Sequence, residues 1–440
     1  MKSARHLAVE LIEKTFNDNG YSNIIMTNLI RIKQLIPLQE CNFCSALYYG
    51  VVERKITLDY IISGLSSRPL DKLDSVVLNI LRCGIYQILY MDSVPDNASV
   101  NESVKLAKEF KKTSASGMVN AVLRNFIRNG KKYKIPENET ERMSVEYSVP
   151  VWLIESLTKD YGHELAEDFL SDSLGEPPFY IRLNNILVSE KDFLDSCEGK
   201  FEFEKSEYLP YCYKLAGKFK VGLMDSDMFY NGWFHVQDLA SQLCCYALNP
   251  TENDTVLDLC SAPGGKTFTM AEMMNNKGRI YAFDIYHHRI RLVSSGSGKL
   301  GLGNITAKWG DATEYNPKIP KCTKILCDVP CSGIGTIRRK PEIKYNKNPE
   351  DLKQLPDIQY KIAENALNYL AEGGEMVYST CTLRKAENED VVNKLLANHS
   401  ELELVTLPEP LGSKFGSMAT LFPKYFGSDG FFIAKLRKIK

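Results

Sequence analysis

Apolar side chains recur at helical spacing through the first part of the chain: Leu7, Leu11 and Ile12, then Val76, Val77, Ile80 and Leu81, then Ile85, Ile88 and Leu89. Stripes of this kind let each helix bury one face against another, and few alternating β-branched runs interrupt them. Asn97–Glu102 reads as a cap opening a helix, and Gly117 allows a turn before a helix over Met118–Ile127. Residues 1–138 are therefore expected to form an all-α bundle. The polar, Pro136-containing stretch Tyr133–Thr140 reads as its closing linker.

Over residues 139–231 the pattern becomes mixed. Trp152–Tyr161 and Glu164–Ser171 predict helices, Phe179–Leu183 alternates as a strand, Glu190–Cys197 is helical, and Phe201–Glu204 and Tyr211–Leu215 read as short strands. The expected module is a small α+β unit carrying exposed strand aromatics and Arg182. Such a sheet can bind RNA or pack between domains, and the pattern favours neither.

Residues 232–440 alternate strands with helices, which predicts a parallel sheet with helices on both faces. The strand candidates are Thr255–Leu259, Arg279–Phe283, Ile305–Trp309, Lys324–Cys327, Glu375–Tyr378 and Phe431–Leu436. Gln359–Leu370 and Glu387–Asn398 are the clearest helices. The two glycines in Ser294–Gly298 are expected to shorten or break the helix after the second strand. The fold class that results is multidomain: an all-α bundle, a small α+β module and an α/β Rossmann-like domain.

Composition adds bounds. A chain of 440 residues with 44% hydrophobic and 25% charged content fits two or three soluble globular domains. No apolar run approaches the ~20 residues that span a bilayer, and the N-terminus leads into an amphipathic helix, so the expected location is the cytoplasm. Twelve cysteines without framework spacing point to free thiols. The only CxxC, Cys41–Cys44, lacks a second pair or suitably spaced histidines, so no metal is expected. A monomer is expected, since nothing suggests an obligate dimer. Net charge is −1, which gives no global nucleic-acid signal. Locally, Lys105, Lys108, Lys111, Lys112, Arg124, Arg128, Lys131, Lys132 and Lys134 form a basic stretch, either a solvated helix face or a phosphate-contacting surface.

The candidate chemistry sits at the ends of the third region's strands. Asp258-Leu-Cys-Ser-Ala-Pro-Gly-Gly-Lys follows an apolar strand, where Gly264 and Gly265 let a ligand approach the backbone beside a helix N-terminus. The next strand ends at Asp284, suited to a ribose diol, and the third is followed by Asp311, suited to an adenine amino group. The turn matches neither GxGxxG nor the full phosphate-binding GxxxxGK[ST] pattern, so S-adenosyl-L-methionine is the better cofactor. Cys331 and Cys381 each follow a strand in polar Pro-Cys-Ser-Gly and Ser-Thr-Cys-Thr turns. Cys244, Cys245, Cys322 and Cys327 have the apolar neighbours of packing residues.

Methylation at carbon 5 of cytosine needs such an arrangement. A thiolate added to carbon 6 makes carbon 5 nucleophilic, an acid assists at the ring nitrogen, and a base then removes the carbon 5 proton before the thiolate leaves. Asp328, three residues before Cys331, can hydrogen-bond the pyrimidine. The residues alone leave open which cysteine attacks.

These motifs, Leu259–Thr267, Asp328–Gly335 and Tyr378–Leu383 with Glu387-Asn388-Glu389, resemble the RNA (cytosine-5)-methyltransferases of the NOL1/NOP2/Sun group. The resemblance spans nearly the whole chain and is strongest with the bacterial members that act on 16S rRNA. It implies that Cys381 is the nucleophile and that Cys331 assists product release. It also implies that Cys260, Ser261, Ala262, Pro263, Gly264, Gly265, Lys266, Asp284, Asp311 and Asp328 contact the cofactor or target base. The helical region is similar to NusB, an RNA-binding factor, which favours an RNA role for the Lys105–Lys134 stretch. The implied partner is 16S rRNA before full subunit assembly. Sister reactions on tRNA or 23S rRNA, and a non-catalytic ribosome-assembly role, are the alternatives. The Ser294–Gly298 segment departs from the family's polar, alanine-rich helix, and Cys41 and Cys44 stand where charged residues are common.

Overall fold

The computed structural model describes residues 2–17, 37–217 and 222–439. They form two compact units: Met1–Gly175 with Ile337–Asn348, and Glu176–Thr336 with Pro349–Lys440.

The first unit is helical. Asp74 accepts hydrogen bonds from the backbone N–H groups of Val76 and Val77, capping the helix Ser75–Tyr90. That helix buries Val77, Ile80, Leu81, Ile85 and Ile88 against the helices Ala4–Asn17, Leu38–Glu53 and Ser116–Arg128. The expected stripes are thus core. Arg82 is buried among them, held by both carboxylate oxygens of Asp59 at 2.6 and 2.7 Å. Such a pair offsets the cost of burying a guanidinium, as a single-point contact could not. Ile337–Asn348 packs into the same unit. Lys344 is buried there, its Nζ donating to the Glu53 carbonyl at 2.8 Å.

The second unit holds two sheets. The small one runs β2-β3-β1-β4, entirely antiparallel, with β1 Tyr180–Leu183, β2 Phe203–Lys205, β3 Cys212–Leu215 and β4 Phe234–Val236. The large one runs β10-β12-β9-β8-β5-β6-β7, with β11 paired to β12. Its strands are β5 Thr255–Asp258, β6 Arg279–Asp284, β7 Ile305–Trp309, β8 Cys322–Asp328, β9 Leu370–Thr380, β10 Leu402–Leu404, β11 Met418–Leu421 and β12 Phe431–Lys438. Strands β7 to β9 of this order are parallel, whereas β12 runs antiparallel to β9. From β5 the chain adds β6 and β7 on one side and β8 and β9 on the other. The boundary between β5 and β8 is the topological switch point, where open α/β sheets bind ligands.

Four expectations need correction. Strand β1 is buried along its whole length, because it is central in the small sheet; it carries no exposed aromatic face. Its Arg182 is also buried, with Nε 2.6 Å from Glu272 Oε2, so it ties the small sheet to the helix Gly265–Met273 instead of facing solvent. The helix His287–Lys299 runs unbroken through Ser294–Gly298. A Cβ on Gly296 would lie 2.4 Å from Phe268 Cζ, so the glycine makes room for that ring and tertiary packing outweighs its low helix propensity. The final strand, expected in a parallel sheet, runs antiparallel as described.

Candidate active site

Strand ends gather the predicted residues at the switch point. Strand β5 ends at Asp258 and β8 at Asp328, and both run into the turns that the sequence singles out. Gly264 sits at φ 115°, and a Cβ there would be 2.3 Å from Phe268 Cζ. The turn can close over that ring only with glycine. Its role is to shape the turn; Cys260, Ser261, Ala262, Pro263, Gly265 and Lys266 line a cavity of about 240 Å³ together with Asp258, Gln237 and Asp328.

Charge in this cavity is arranged in pairs. Lys266 Nζ lies 2.8 Å from Asp328 Oδ2, while Asp328 Oδ1 accepts from Ser379 Oγ at 2.9 Å. Burial disfavours the Lys266 ammonium, but Asp328 and the neighbouring Cys244 more than offset this and hold its pKa above the usual lysine range. Asp258 is buried with Oδ2 accepting from Thr267 Oγ1 at 2.7 Å, and its Oδ1 has no hydrogen-bond partner among the described residues. Burial pushes its pKa up to about 7, against the pull of the Thr267 hydrogen bond. Gln237 Nε2 is a second orphaned polar atom in the same lining. An unpaired acceptor beside an unpaired donor suits a ligand bearing both an amine and a carboxylate.

Asp284 lies at the end of β6, with Oδ2 accepting from Ala262 N at 3.3 Å and Oδ1 from Tyr286 N at 3.0 Å. Arg289 adds an ion pair at 3.3 Å. Asp311 holds the turn after β7 through Thr313 and lines a second cavity of about 230 Å³, with Leu259, Phe283 and Ala312 at its apolar side. The two acidic residues thus follow the glycine turn along the carboxyl edge of the sheet.

On the other side of the switch point, Cys331 Sγ and Cys381 Sγ are 3.3 Å apart. Both are partly accessible, in contrast to Cys244, Cys245, Cys322 and Cys327, which are buried as the sequence predicted. The hydrogen bond to Cys381, then burial, pushes the Cys331 thiol well above its ordinary range.

The sequence motifs did not disclose what holds the two cysteine turns together. Glu387, fully buried, accepts from Ser332 N at 2.8 Å, Gln359 Nε2 at 3.0 Å and Arg384 Nη1 at 2.9 Å. Gln359 also donates to the Pro330 carbonyl at 2.9 Å. Asn388 links to Thr380 Oγ1 and to the Thr382 carbonyl, flanking Cys381 on both sides. The Glu387-Asn388-Glu389 triplet was the signal in the sequence; its partners lie in three separate segments. Among the described residues no group of His, Cys, Asp and Glu is placed to hold a metal, and no helix is long and apolar enough to cross a membrane.

Comparison with known proteins agrees with this geometry. Residues 245–437 match the family described as 16S rRNA methyltransferase RsmB/F. Residues 2–128 match the NusB family, and residues 149–222 the ferredoxin-like domain of RsmF/B-like methyltransferases. The crystal structure of NSun6 from Pyrococcus horikoshii with SFG shares the fold, with TM-score 0.59 at 23% identity over 66% of this chain and 98% of that one. A Bacillus subtilis protein named probable ribosomal RNA small subunit methyltransferase B is 34% identical over 447 residues, covering 99% of each chain. A Synechocystis relative of the same name is 33% identical, covering 100% of each. Aligned from end to end at this level, the chain belongs to the ribosomal RNA small subunit methyltransferase B family.

Proposed function

We propose that this methyltransferase uses S-adenosyl-L-methionine to methylate carbon 5 of one cytosine in 16S rRNA through a covalent Cys381 adduct. The single observation that carries the chemistry is the pair of partly accessible cysteines, their sulfurs 3.3 Å apart, at the switch point beside the glycine turn. The 16S substrate comes from the family match and the names of the relatives.

The residues present fit the cofactor. The orphaned Asp258 Oδ1 and Gln237 Nε2 suit its amino-acid end, Asp284 its ribose and Asp311 its adenine. The NSun6 structure was solved with SFG, an analogue of this cofactor. When bound, it supplies an electrophilic methyl group. The chain's own residues do the rest. Cys381 adds as thiolate to carbon 6 of the unpaired or flipped base. In this reading Asp328, held by Lys266 and Ser379, hydrogen-bonds the pyrimidine. After loss of the carbon 5 proton to a base, the Cys381–carbon 6 bond breaks, with Cys331 assisting release.

The test supplies methyl-labelled cofactor with unmodified 16S rRNA, and maps any label. A single labelled 5-methylcytosine in 16S rRNA is expected. Label confined to 23S rRNA or tRNA would overturn the substrate, and label on another base would overturn the mechanism. Cys381→Ala is expected to abolish transfer while still binding the cofactor in equilibrium dialysis. Full activity of that variant would remove Cys381 from its role.

A further inference from the structure

A group of aromatic and cationic side chains lies at the carboxyl ends of β6 and β7, on the rim of the cavity that Asp311 lines, with Trp309 in the wall of that cavity. Tyr286 and Trp309 are 54% and 51% exposed, far from the usual burial of such rings. The His287 and Trp309 rings stack, with centroids 5.3 Å apart and planes at 10°. Trp309 Nε1 donates to the Ile285 carbonyl at 2.7 Å, which fixes the indole and satisfies its only polar atom. Tyr286 leans on His288 at 5.7 Å. Arg291 is exposed and, one helical turn after His287, shares its face of the helix. Arg291 has no carboxylate partner among the described residues, unlike Arg289, which pairs with Asp284.

Locked aromatic faces beside an unpaired cation have the chemistry of a single-stranded nucleic-acid platform. Ring faces stack on bases of any identity, and the guanidinium serves the phosphates. Position argues the same way. The sheet's carboxyl edge also carries the glycine turn and both cysteines, so a strand whose target base enters the site passes along this edge. We infer that Tyr286, His287, Arg291 and Trp309 form a stacking surface for the unpaired RNA that flanks the target nucleotide. The inference rests on RNA being the substrate, and it extends that reading to a specific surface.

Trp309 is one of three tryptophans in the chain, and Trp152 and Trp233 are less exposed. Its fluorescence therefore reports on this surface directly. The test titrates full-length protein with a short mixed-sequence single-stranded oligoribonucleotide, in the inactive Cys381→Ala background, so that the outcome does not depend on turnover. Quenching is expected, and Trp309→Phe should remove the quenching while leaving RNA affinity nearly unchanged. The His287→Ala/Trp309→Ala variant should weaken RNA binding ~10-fold, as expected for loss of one base stack. Arg291→Gln should lower the salt dependence of binding by about one phosphate contact. Cofactor affinity should stay within about twofold in Arg291→Gln, below the tenfold that ~1.4 kcal/mol represents; the Trp309 variants are read on RNA affinity without cofactor, because Trp309 also lines the Asp311 cavity. Unchanged RNA affinity in the double variant would overturn the inference while leaving the methyltransferase reading intact. Quenching by the cofactor alone, with loss of its affinity in the double variant, would instead assign the rings to the cofactor.

Discussion

Cys331 and Cys381 share a hydrogen bond, with their sulfurs 3.3 Å apart. Cys331 sits with its thiol pushed well above the ordinary range, first by that bond and then by burial, so it holds its proton at neutral pH. A Cys331 that keeps its proton can donate a hydrogen bond to a thiolate formed on Cys381, 3.3 Å away, in the roles proposed for the pair. Removing Cys331 should then spare addition and impair release. Cys331→Ala is expected to accumulate a covalent protein–RNA adduct that survives denaturing electrophoresis, and normal turnover without that adduct would count against the role. The 3.3 Å separation has a second consequence. Hydrogen peroxide should convert the Cys381 thiolate to a sulfenic acid, and Cys331 should displace its oxygen as water, giving a disulfide. Peptide mapping is expected to find Cys331 linked to Cys381, with activity lost and then restored by dithiothreitol. Recovery of both cysteines as separate peptides after inactivation would show that the turns do not allow the bond.

At the scale of elements, strands that end in polar turns were readable because chemistry and topology coincide there. Asp258, Asp284, Asp311 and Asp328 each lie at or just beyond a strand end, and that position needs only local pattern to find. What escaped was set by partners distant in sequence. Glu387 draws its three donors from Ser332, Gln359 and Arg384, and Gly296 exists for Phe268. Arg182 read as surface because its partner Glu272 lies in another element. Glu375 shows the same kind of distant convergence across β8, β9 and β12: Lys324, Lys435 and Arg437 all reach it, at 2.6, 3.0 and 2.8 Å. Burial would raise its pKa, but these hydrogen bonds prevail and bring it down to about 2. A carboxylate whose folded pKa is depressed stabilises above its unfolded pKa of about 4.5 and loses that contribution as pH falls toward 2. Glu375→Gln is expected to cost ~2 kcal/mol at pH 7 by chemical denaturation, with the difference from the parent shrinking as the pH is lowered through ~4. An equal difference at both pH values would show that packing, and not charge, is what the substitution removes.

On the scale of the whole molecule, the connectivity is not what domain-by-domain reading suggests. The chain that carries Cys331 leaves the methyltransferase unit at Thr336, contributes Ile337–Asn348 to the helical unit, and returns at Pro349. It is clamped just before it leaves. Gly335 N donates to the Cys381 carbonyl at 3.0 Å, Gly430 N donates to the Gly335 carbonyl at 2.9 Å, and a Cβ on Gly335 would lie 2.0 Å from the Gly430 oxygen. The excursion therefore begins at a fixed point on the Cys381 turn. At its far end Tyr345 OH donates to the Glu53 carbonyl at 3.0 Å and lies 3.2 Å from Ser148 Oγ, with its ring 6.1 Å from that of Phe16. Those contacts separate two contributions. Tyr345→Phe removes the hydroxyl alone, ~1 kcal/mol, and Tyr345→Ala also removes the ring, ~3 kcal/mol for a side chain that is only partly buried. In calorimetry this should lower the melting of the helical unit by about 2–4 °C and about 6–12 °C respectively. Cofactor affinity should not move, since the residues that line its cavity all belong to the methyltransferase unit. Both variants melting like the parent would mean that the excursion merely rests on the helices. A drop in cofactor affinity would mean that the Gly335 clamp transmits the disturbance to the glycine turn.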